Sequence, residues 1–181
     1  LFKYGIFLAT YSYYKEALEV DLRFVQLSEE TNGQNETTAD AYNNIGNVYH
    51  KLGDYDKALE YHNKALEIKK DVLGEDHPNT AHSYNNIGNV YGNLGDYDKA
   101  LEYHFKGLEI KKDVLGENHC DTAGSYNNIG LVYYRLRDYD KALEYQNKAL
   151  EIKKDVLGEN HRDTATSYNN IGVVYDYLGD Y

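Results

Sequence analysis

Several residue types and patterns are scarce in this chain. It has one cysteine, one proline, no methionine and no tryptophan. The lone Cys120 excludes an internal disulfide framework, and no apolar run approaches the roughly 18 residues of a membrane-spanning helix. Basic residues are few as well, since 19 Lys and Arg against 30 Asp and Glu give a net charge of −11. This charge argues against nucleic acid or an anionic membrane as partner.

A pentapeptide recurs along the chain at a fixed interval. Tyr-Asn-Asn-Ile-Gly begins at Tyr42, Tyr84, Tyr126 and Tyr168, and each copy lies 42 residues after the last. A period of this size is typical of a solenoid, in which each unit buries its apolar face against its neighbours. We therefore expect one array with units of about 1–38, 39–80, 81–122 and 123–164 and a partial unit 165–181. Because the chain starts with Leu and contains no Met, we expect it to be a piece of a longer protein. We also expect a cytoplasmic location.

Each unit contains two stretches with helical periodicity. Apolar residues fall about one turn apart in the first stretch, at Tyr42, Ile45, Val48 and Leu52. Gly53 then breaks the pattern, Asp54 is a suitable N-cap for a second helix, and Gly74 can end it. The same reasoning makes Asn79, Asp121 and Asp163 N-caps of the following first helices. The predicted helix pairs are 1–11 with 14–31, 38–52 with 55–73, 80–94 with 97–115 and 122–136 with 139–157, followed by 164–178.

The residue types along one unit resemble the tetratricopeptide repeat. Its large, aliphatic, small, aromatic, glycine, aromatic, small and small positions are matched in order by Tyr42, Ile45, Gly46, Tyr49, Gly53, Tyr55, Ala58 and Ala65. The period is longer than the usual repeat, and the surplus at Asp71–Pro78 is similar to the Leu-Gly-x-x-His-Pro loop of the 42-residue variant in kinesin light chains. The resemblance implies an all-α fold, a right-handed α-solenoid of helix-turn-helix units, with protein partners.

No residue pattern here indicates catalysis or a cofactor. His77, His119 and His161 recur once per loop, but equivalent positions in stacked repeats lie about 20 Å apart, two helix widths, whereas metal ligands converge at about 2 Å. We interpret these histidines as loop-packing or capping residues and predict no metal site, no catalytic residue and no cofactor. The chain is thus not expected to be an enzyme. Asn35-Glu36-Thr37 matches the N-glycosylation triplet, which matters only in a secreted protein.

The differences between repeats concentrate on one stripe of the first helix. Within an arc of about 100°, the residue varies at four positions, and a fifth position is always Asn. In tetratricopeptide arrays this stripe lines the concave groove, so we predict that it binds a peptide or a partner helix. The predicted contacts with a ligand's backbone are Asn43, Asn85, Asn127 and Asn169, and the predicted selectors are Asn47, Asn89, Tyr134 and Arg135. Free drift of exposed residues is the alternative explanation of the variation.

The sequence therefore predicts a non-catalytic protein-interaction scaffold. Two other functions stay open. The chain could be the sensor or regulatory arm of a larger signalling ATPase or motor subunit, since the loop at Asp71–Pro78 is similar to that of kinesin light chains. It could also be the subunit of a head-to-tail filament. The helix of the partial unit 165–181 carries apolar residues, such as Tyr168 and Tyr175, that no second helix would cover.

Overall fold

All regular secondary structure in the described part of the chain is helical. The structure, a computed structural model, describes residues 2–31 and 33–179, with side chains from residue 15 onward. Eight helices follow one another: α1 Phe2–Glu30, α2 Glu36–Leu52, α3 Tyr55–Leu73, α4 Pro78–Leu94, α5 Tyr97–Leu115, α6 Cys120–Arg135, α7 Tyr139–Leu157 and α8 Arg162–Leu178. We call α2, α4, α6 and α8 the first helices and α3, α5 and α7 the second helices. The second helices have the predicted bounds, and the first helices begin two residues earlier than predicted.

Turn chemistry in the sequence explains where most helices begin and end. The side chains of Asp54, Asp96 and Asp138 cap the second helices, each accepting a hydrogen bond from the backbone N–H three residues later. Gly53 and Gly95 end α2 and α4 in the left-handed region, at φ 79° and 84°, which glycine adopts without steric cost. At the end of α6, Arg137 occupies that region instead, with φ 62°.

The N-caps of α4, α6 and α8 differ from the prediction. Each cap is the loop histidine, whose Nδ1 accepts a hydrogen bond at 3.1 Å from the backbone N–H two residues on, at Asn79, Asp121 and Asp163. The caps are His77, His119 and His161. The capping interpretation of these histidines is therefore confirmed. The proposal that Asn79, Asp121 and Asp163 are the caps was wrong, because their backbone amides are the groups being capped.

The first unit does not form the predicted helix pair. Residues Phe2–Glu30 form one continuous helix of 29 residues, so the break expected between residues 11 and 14 is absent. The sequence explains the difference, because Ser12 and Tyr13 stand where Gly53 and Asp54 stand in the next repeat. Without a glycine to reverse the chain and an aspartate to cap a new helix, nothing in this segment ends the first one.

The chain divides into two compact units, Leu1–Glu75 and Asp76–Tyr181. In the first unit, α2 packs on α1 and on α3, and a core of Val25, Tyr42, Ile45 and Ile68 with small alanines lies between them. In the second unit, α4 to α8 pack in sequence order, and a core includes Leu108, Tyr126, Ile129 and Ile152.

Each pair of a first and a second helix also stacks two tyrosines with ring centroids 5.5 Å apart: Tyr49 on Tyr61, Tyr91 on Tyr103 and Tyr133 on Tyr145.

Candidate functional site

The first helices of the second unit contact one another as well as their second helices. α4 touches α6, and α6 touches α8, so three copies of the variable stripe lie side by side. We call these residues the first-helix face of the second unit. Its stripe positions are His82, Asn85, Asn89, Gly92 and Asn93 on α4, Gly124, Asn127, Leu131, Tyr134 and Arg135 on α6, and Thr166, Asn169, Val173, Asp176 and Tyr177 on α8.

Tyr134 and Arg135 are held in place by neighbouring first helices. Arg135 Nη1 donates to the Gly92 carbonyl at 2.9 Å and to Asn93 Oδ1 at 3.0 Å, both on α4. The Tyr134 ring meets Tyr177 of α8 edge-on, with centroids 5.5 Å apart, and a hydrogen bond to Tyr177 raises the pKa of Tyr134. Of the four predicted selectors, Tyr134 and Arg135 therefore present fixed rather than freely rotating groups.

The asparagines of the constant position fall into two kinds. Asn85 is buried: its Oδ1 accepts from Nδ1 of His104 at 3.1 Å, and its Nδ2 donates to Ser125 Oγ at 3.0 Å. Asn127 and Asn169 are more accessible. Asn127 Oδ1 accepts a hydrogen bond from Asn170 at 2.8 Å. The asparagine at the constant position is thus buried on α4 and lies nearer the surface on α6 and α8.

In the first unit, α2 repeats the arrangement of α4. Asn43 is buried, and its Oδ1 accepts from His62 Nδ1 at 3.0 Å, whereas Asn47 is exposed. Asn89 is exposed in the same way on α4. Of the eight residues predicted to bind a ligand, Asn43 and Asn85 have their amide oxygens engaged inside their own helix pairs. A direct contact between either side chain and a ligand would have to displace a buried histidine.

Sequence reasoning missed the two histidines that hold these asparagines. His62 and His104 are each 1% exposed, and burial lowers the pKa of both to about 4, because a charged imidazole loses its hydration there. Each ring packs on the small residue of the first helix: a methyl group at Gly88 would lie 2.8 Å from Cε1 of His104. The recurrence of His62 and His104 at the 42-residue period, with Gln146 at the third position, was the available signal.

Three equivalent lysines of the second helices are buried or half-buried. The sequence places the first of them, Lys69, near the end of its helix, where its charge is favourable against the negative pole. In the structure Lys69 and its equivalent Lys111 are 4% and 3% exposed, and Lys69 Nζ lies 2.9 Å from Asp40 Oδ1. Burial lowers the pKa of Lys111 and of Lys153, the third equivalent.

Asn35 and Cys120, also singled out in the sequence, lie at the starts of first helices. Asn35, the glycosylation candidate, is the N-cap of α2, and its Oδ1 accepts from the Thr38 backbone N–H at 3.1 Å. Cys120 is a free cysteine at the start of α6. Among residues 2–31 and 33–179, no three His, Cys, Asp or Glu side chains are grouped so that they could hold a metal ion. None of the helices in the described part of the chain is long and apolar enough to cross a membrane.

A family model covers nearly the whole chain. The tetratricopeptide repeat model matches residues 11–71, 37–113 and 121–181. The chain therefore belongs to the tetratricopeptide repeat family, as the motif positions from Tyr42 to Ala65 predicted. Together with the helical hairpins described above, this match supports a protein-interaction scaffold, and the tetratricopeptide fold is generally non-catalytic.

Individual relatives agree with this assignment. BtubC (BKLC) from P. vanneervenii superposes with a TM-score of 0.79 at 26% identity, over 92% of this chain and 67% of that one. A putative kinesin light chain from P. anserina with nearly identical repeats gives 0.76 at 18% identity, over 92% of this chain and 79% of that one. A nucleotide-binding leucine-rich repeat (NLR)-like protein of Hyaloscypha variabilis is 46% identical over 44 residues. This match covers 24% of the chain and 4% of that protein.

Proposed function

We propose that the chain is a scaffold whose first-helix face binds an extended peptide or a helix of a partner protein. The observation that carries this proposal is the alignment of α4, α6 and α8, which brings the positions that differ between repeats onto one side of the second unit. The second helices differ much less: α5 and α7 have different residues at only His104, Phe105 and Gly107 and their counterparts. Free drift would vary the exposed residues of both helix types equally.

The exposed and half-buried members of the face are assigned to the ligand. Asn127 and Asn169 offer amide groups suited to a peptide backbone. Asn89, which is exposed on α4 as Asn47 is on α2, is assigned to selection among ligand side chains. Tyr134 and Arg135 act as selectors, since an aromatic ring and a guanidinium fixed by neighbours lose little entropy on binding. Asn85 supports the face from beneath by linking α4 to the buried His104. Within the first unit, Asn43 links α2 to His62 in the same way.

The charge of the chain narrows the class of partner. With a net charge of −11, the scaffold attracts basic protein segments, is compatible with neutral ones and repels nucleic acid. Arg135 is an isolated cation on this face, and its guanidinium is already hydrogen-bonded to α4. We therefore propose a protein partner that is not strongly acidic.

A binding assay with matched variants tests the proposal. The chain, immobilised, is used to capture partners from an extract, and the captured protein is then measured against purified variants. Asn89→Ala combined with Tyr134→Ala should weaken binding at least tenfold, as expected for two hot-spot truncations. Asn147→Ala with Glu151→Ala, two exposed positions on α7, should leave it unchanged. The assignment fails if the α7 pair abolishes binding and the first-helix pair does not.

One relative favours a second candidate, in which the array is the sensor arm of a signalling ATPase. The matching NLR-like protein contains a segment 46% identical to part of this chain. Any sequence upstream of residue 1 would test the sensor-arm candidate. A phosphate-binding loop upstream would support the sensor arm, whereas heptad repeats upstream would support a light-chain-like subunit.

A further inference from the structure

Three tyrosine rings meet where α6, the start of α7 and the end of α8 come together. The ring centroid of Tyr134 lies 5.5 Å from that of Tyr177 and 6.1 Å from that of Tyr139. The centroids of Tyr139 and Tyr177 are 6.2 Å apart. We call these three residues the tyrosine cluster. Because Tyr177 is 65% exposed, the cluster is accessible to a ligand at the first-helix face.

The cluster depends on residues that differ between repeats. One repeat earlier, Gly92 stands at the position of Tyr134. Arg135 stands at the position that Tyr177 takes on α8. Of the three rings, only that of Tyr139 is repeated in the preceding unit, so the cluster gives one place on the first-helix face a chemistry that its neighbour lacks.

Other tyrosines of the chain have a cation over their rings. The face of an aromatic ring is negative and attracts cations. Each of the three stacked tyrosine pairs has two lysine Nζ atoms 4.9–5.2 Å from its ring centroids: Lys57 and Lys64, Lys99 and Lys106, and Lys141 and Lys148. Among the side chains that the structure describes, no lysine or arginine lies over a ring of the tyrosine cluster in this way. The cluster is therefore an aromatic group whose attraction for a cation is not satisfied from within the chain.

A surface cavity of about 430 Å³ adjoins the cluster at Tyr139, within the roughly 300–1,000 Å³ of small-ligand clefts. Its other lining residues are two leucines, each 41% exposed, and three charged residues: Leu136, Leu178, Arg137, Asp138 and Asp140. Asp138 is already paired with Lys141 at 3.0 Å, whereas Asp140 is exposed. The two carboxylates outnumber the single guanidinium, so the cavity combines an aromatic wall, an aliphatic surface and negative charge.

We propose that the tyrosine cluster and this cavity form a subsite for an arginine side chain of the bound protein. The planar guanidinium stacks on the rings of Tyr139 and Tyr177, a geometry that the compact ammonium group of lysine cannot reproduce. Its methylene groups lie along the leucines, and Asp140 attracts its charge. The inference rests on the proposed function, because it names the residue type that the first-helix face selects at this end. The net charge of −11 draws such a basic segment toward the scaffold.

The subsite can be tested without the natural partner. The probe is N-acetyl-arginine methylamide, titrated at constant ionic strength into the chain carrying ¹³C-labelled tyrosine rings. The control compound is N-acetyl-citrulline methylamide, which has nearly the same shape and no charge. The signals of the cluster, assigned with Tyr134→Phe, Tyr139→Phe and Tyr177→Phe, should shift saturably with the arginine compound and not with the citrulline compound. The rings of the three stacked pairs should shift with neither.

Two matched pairs of variants locate the contacts. Tyr177→Leu removes the most exposed ring and should weaken binding of the arginine compound about two- to fivefold, the factor that an exposed cation–π contact provides. Tyr177→Phe keeps the ring face and should bind nearly as well as the parent chain. Asp140→Asn should weaken binding about twofold. Asp98→Asn, the same change of charge at the equivalent exposed position of α5, should leave it unchanged.

The subsite is overturned if the cluster signals ignore the arginine compound, follow the citrulline compound equally, or respond as strongly in a folded Tyr177→Leu variant. Equal binding by Asp140→Asn and Asp98→Asn overturns it as well, since the cavity would then play no part. Failure of the proposed function gives a different result. In that case the chain captures no partner, or captures one that ignores Asn89→Ala with Tyr134→Ala, while the cluster of the parent chain still responds to the arginine compound.

Discussion

At the scale of single residues, a buried imidazole fills each of the first two helix pairs. His104 touches Gly88 on one side and hydrogen-bonds Asn85 on the other. Because burial lowers the pKa of His104 to about 4, the folded chain binds no proton there between pH 6.5 and 4, while the unfolded chain does. The contribution of each neutral histidine to the free energy of unfolding is therefore fully present above pH 6.5 and is lost as the pH drops toward 4. The loss is about 2 kcal/mol per histidine at pH 5.

The variant His104→Gln should make the chain less sensitive to acid. Gln146 occupies the equivalent position in the next repeat at 1% exposure, so the fold accepts this side chain. Urea unfolding measures the effect. Between pH 7 and pH 5 the variant should lose about 2 kcal/mol less of its free energy of unfolding than the parent chain loses. A variant that loses as much stability as the parent would show that His104 is not the titrating group.

Two glycines at equivalent positions should differ in their tolerance of a methyl group. In Gly88→Ala the new Cβ meets the His104 ring at 2.8 Å, and in Gly130→Ala it meets the Gln146 side chain at 2.9 Å. The ring is rigid and enclosed, whereas the Gln146 chain can rotate. We expect Gly88→Ala to lower the free energy of unfolding by about 1–3 kcal/mol and Gly130→Ala by clearly less, as read from chemical denaturation. Equal losses would contradict this explanation.

At the scale of helices, the ends were predictable wherever the sequence carries its own stop and start signals. Asp54, Asp96 and Asp138 cap the second helices where predicted. The continuous α1 was not predicted, because the repeat pattern was extended over Ser12 and Tyr13, which lack that turn chemistry. Periodicity indicates which faces are apolar, but a helix ends only where local residues allow it.

Arg137 offers a direct test of one helix end. It adopts φ 62°, a left-handed conformation that costs a residue with a Cβ about 1–2 kcal/mol, and Gly53 and Gly95 occupy the equivalent positions in the earlier repeats. Arg137→Gly should therefore raise the free energy of unfolding by about 1 kcal/mol, measured as a higher midpoint in urea. The reverse change, Gly95→Arg, should lower it. A destabilised Arg137→Gly variant would mean that the arginine side chain contributes more than its backbone strain costs.

The candidate face was predictable in outline and not in detail. The positions of Asn89, Tyr134 and Arg135 on one side of the first helices followed from helical geometry. The burial of Asn85 could not be predicted in this way, because it depends on His104 of α5 and Ser125 of α6. A single-helix projection contains no information about partners on other helices, and the contact of Lys69 with Asp40 was missed for the same reason.

At the scale of the whole molecule, the outermost described helix of the second unit has an exposed apolar side. Tyr168 of α8 is 42% exposed, whereas its equivalent Tyr126 on α6 is 4% exposed beneath α7. Exposed apolar surface favours association at about 25 cal/mol per Å² buried. The isolated chain should therefore associate through α8 as its concentration rises, which light scattering measures. Tyr168→Lys should suppress this growth, and a chain that stays monomeric throughout a concentration series would exclude the filament.

The packing of α6 on α5 and of α8 on α7 has a consequence for the evolution of such a protein. α5 and α7 present the same residues at all but three positions, so loss of residues 123–164 would join Thr122 to Ala165 and set α8 on a surface it already fits. Recombination within the gene could thus add or remove whole units of 42 codons without inventing a new interface. The first-helix face could then lengthen or shorten stepwise, one first helix at a time.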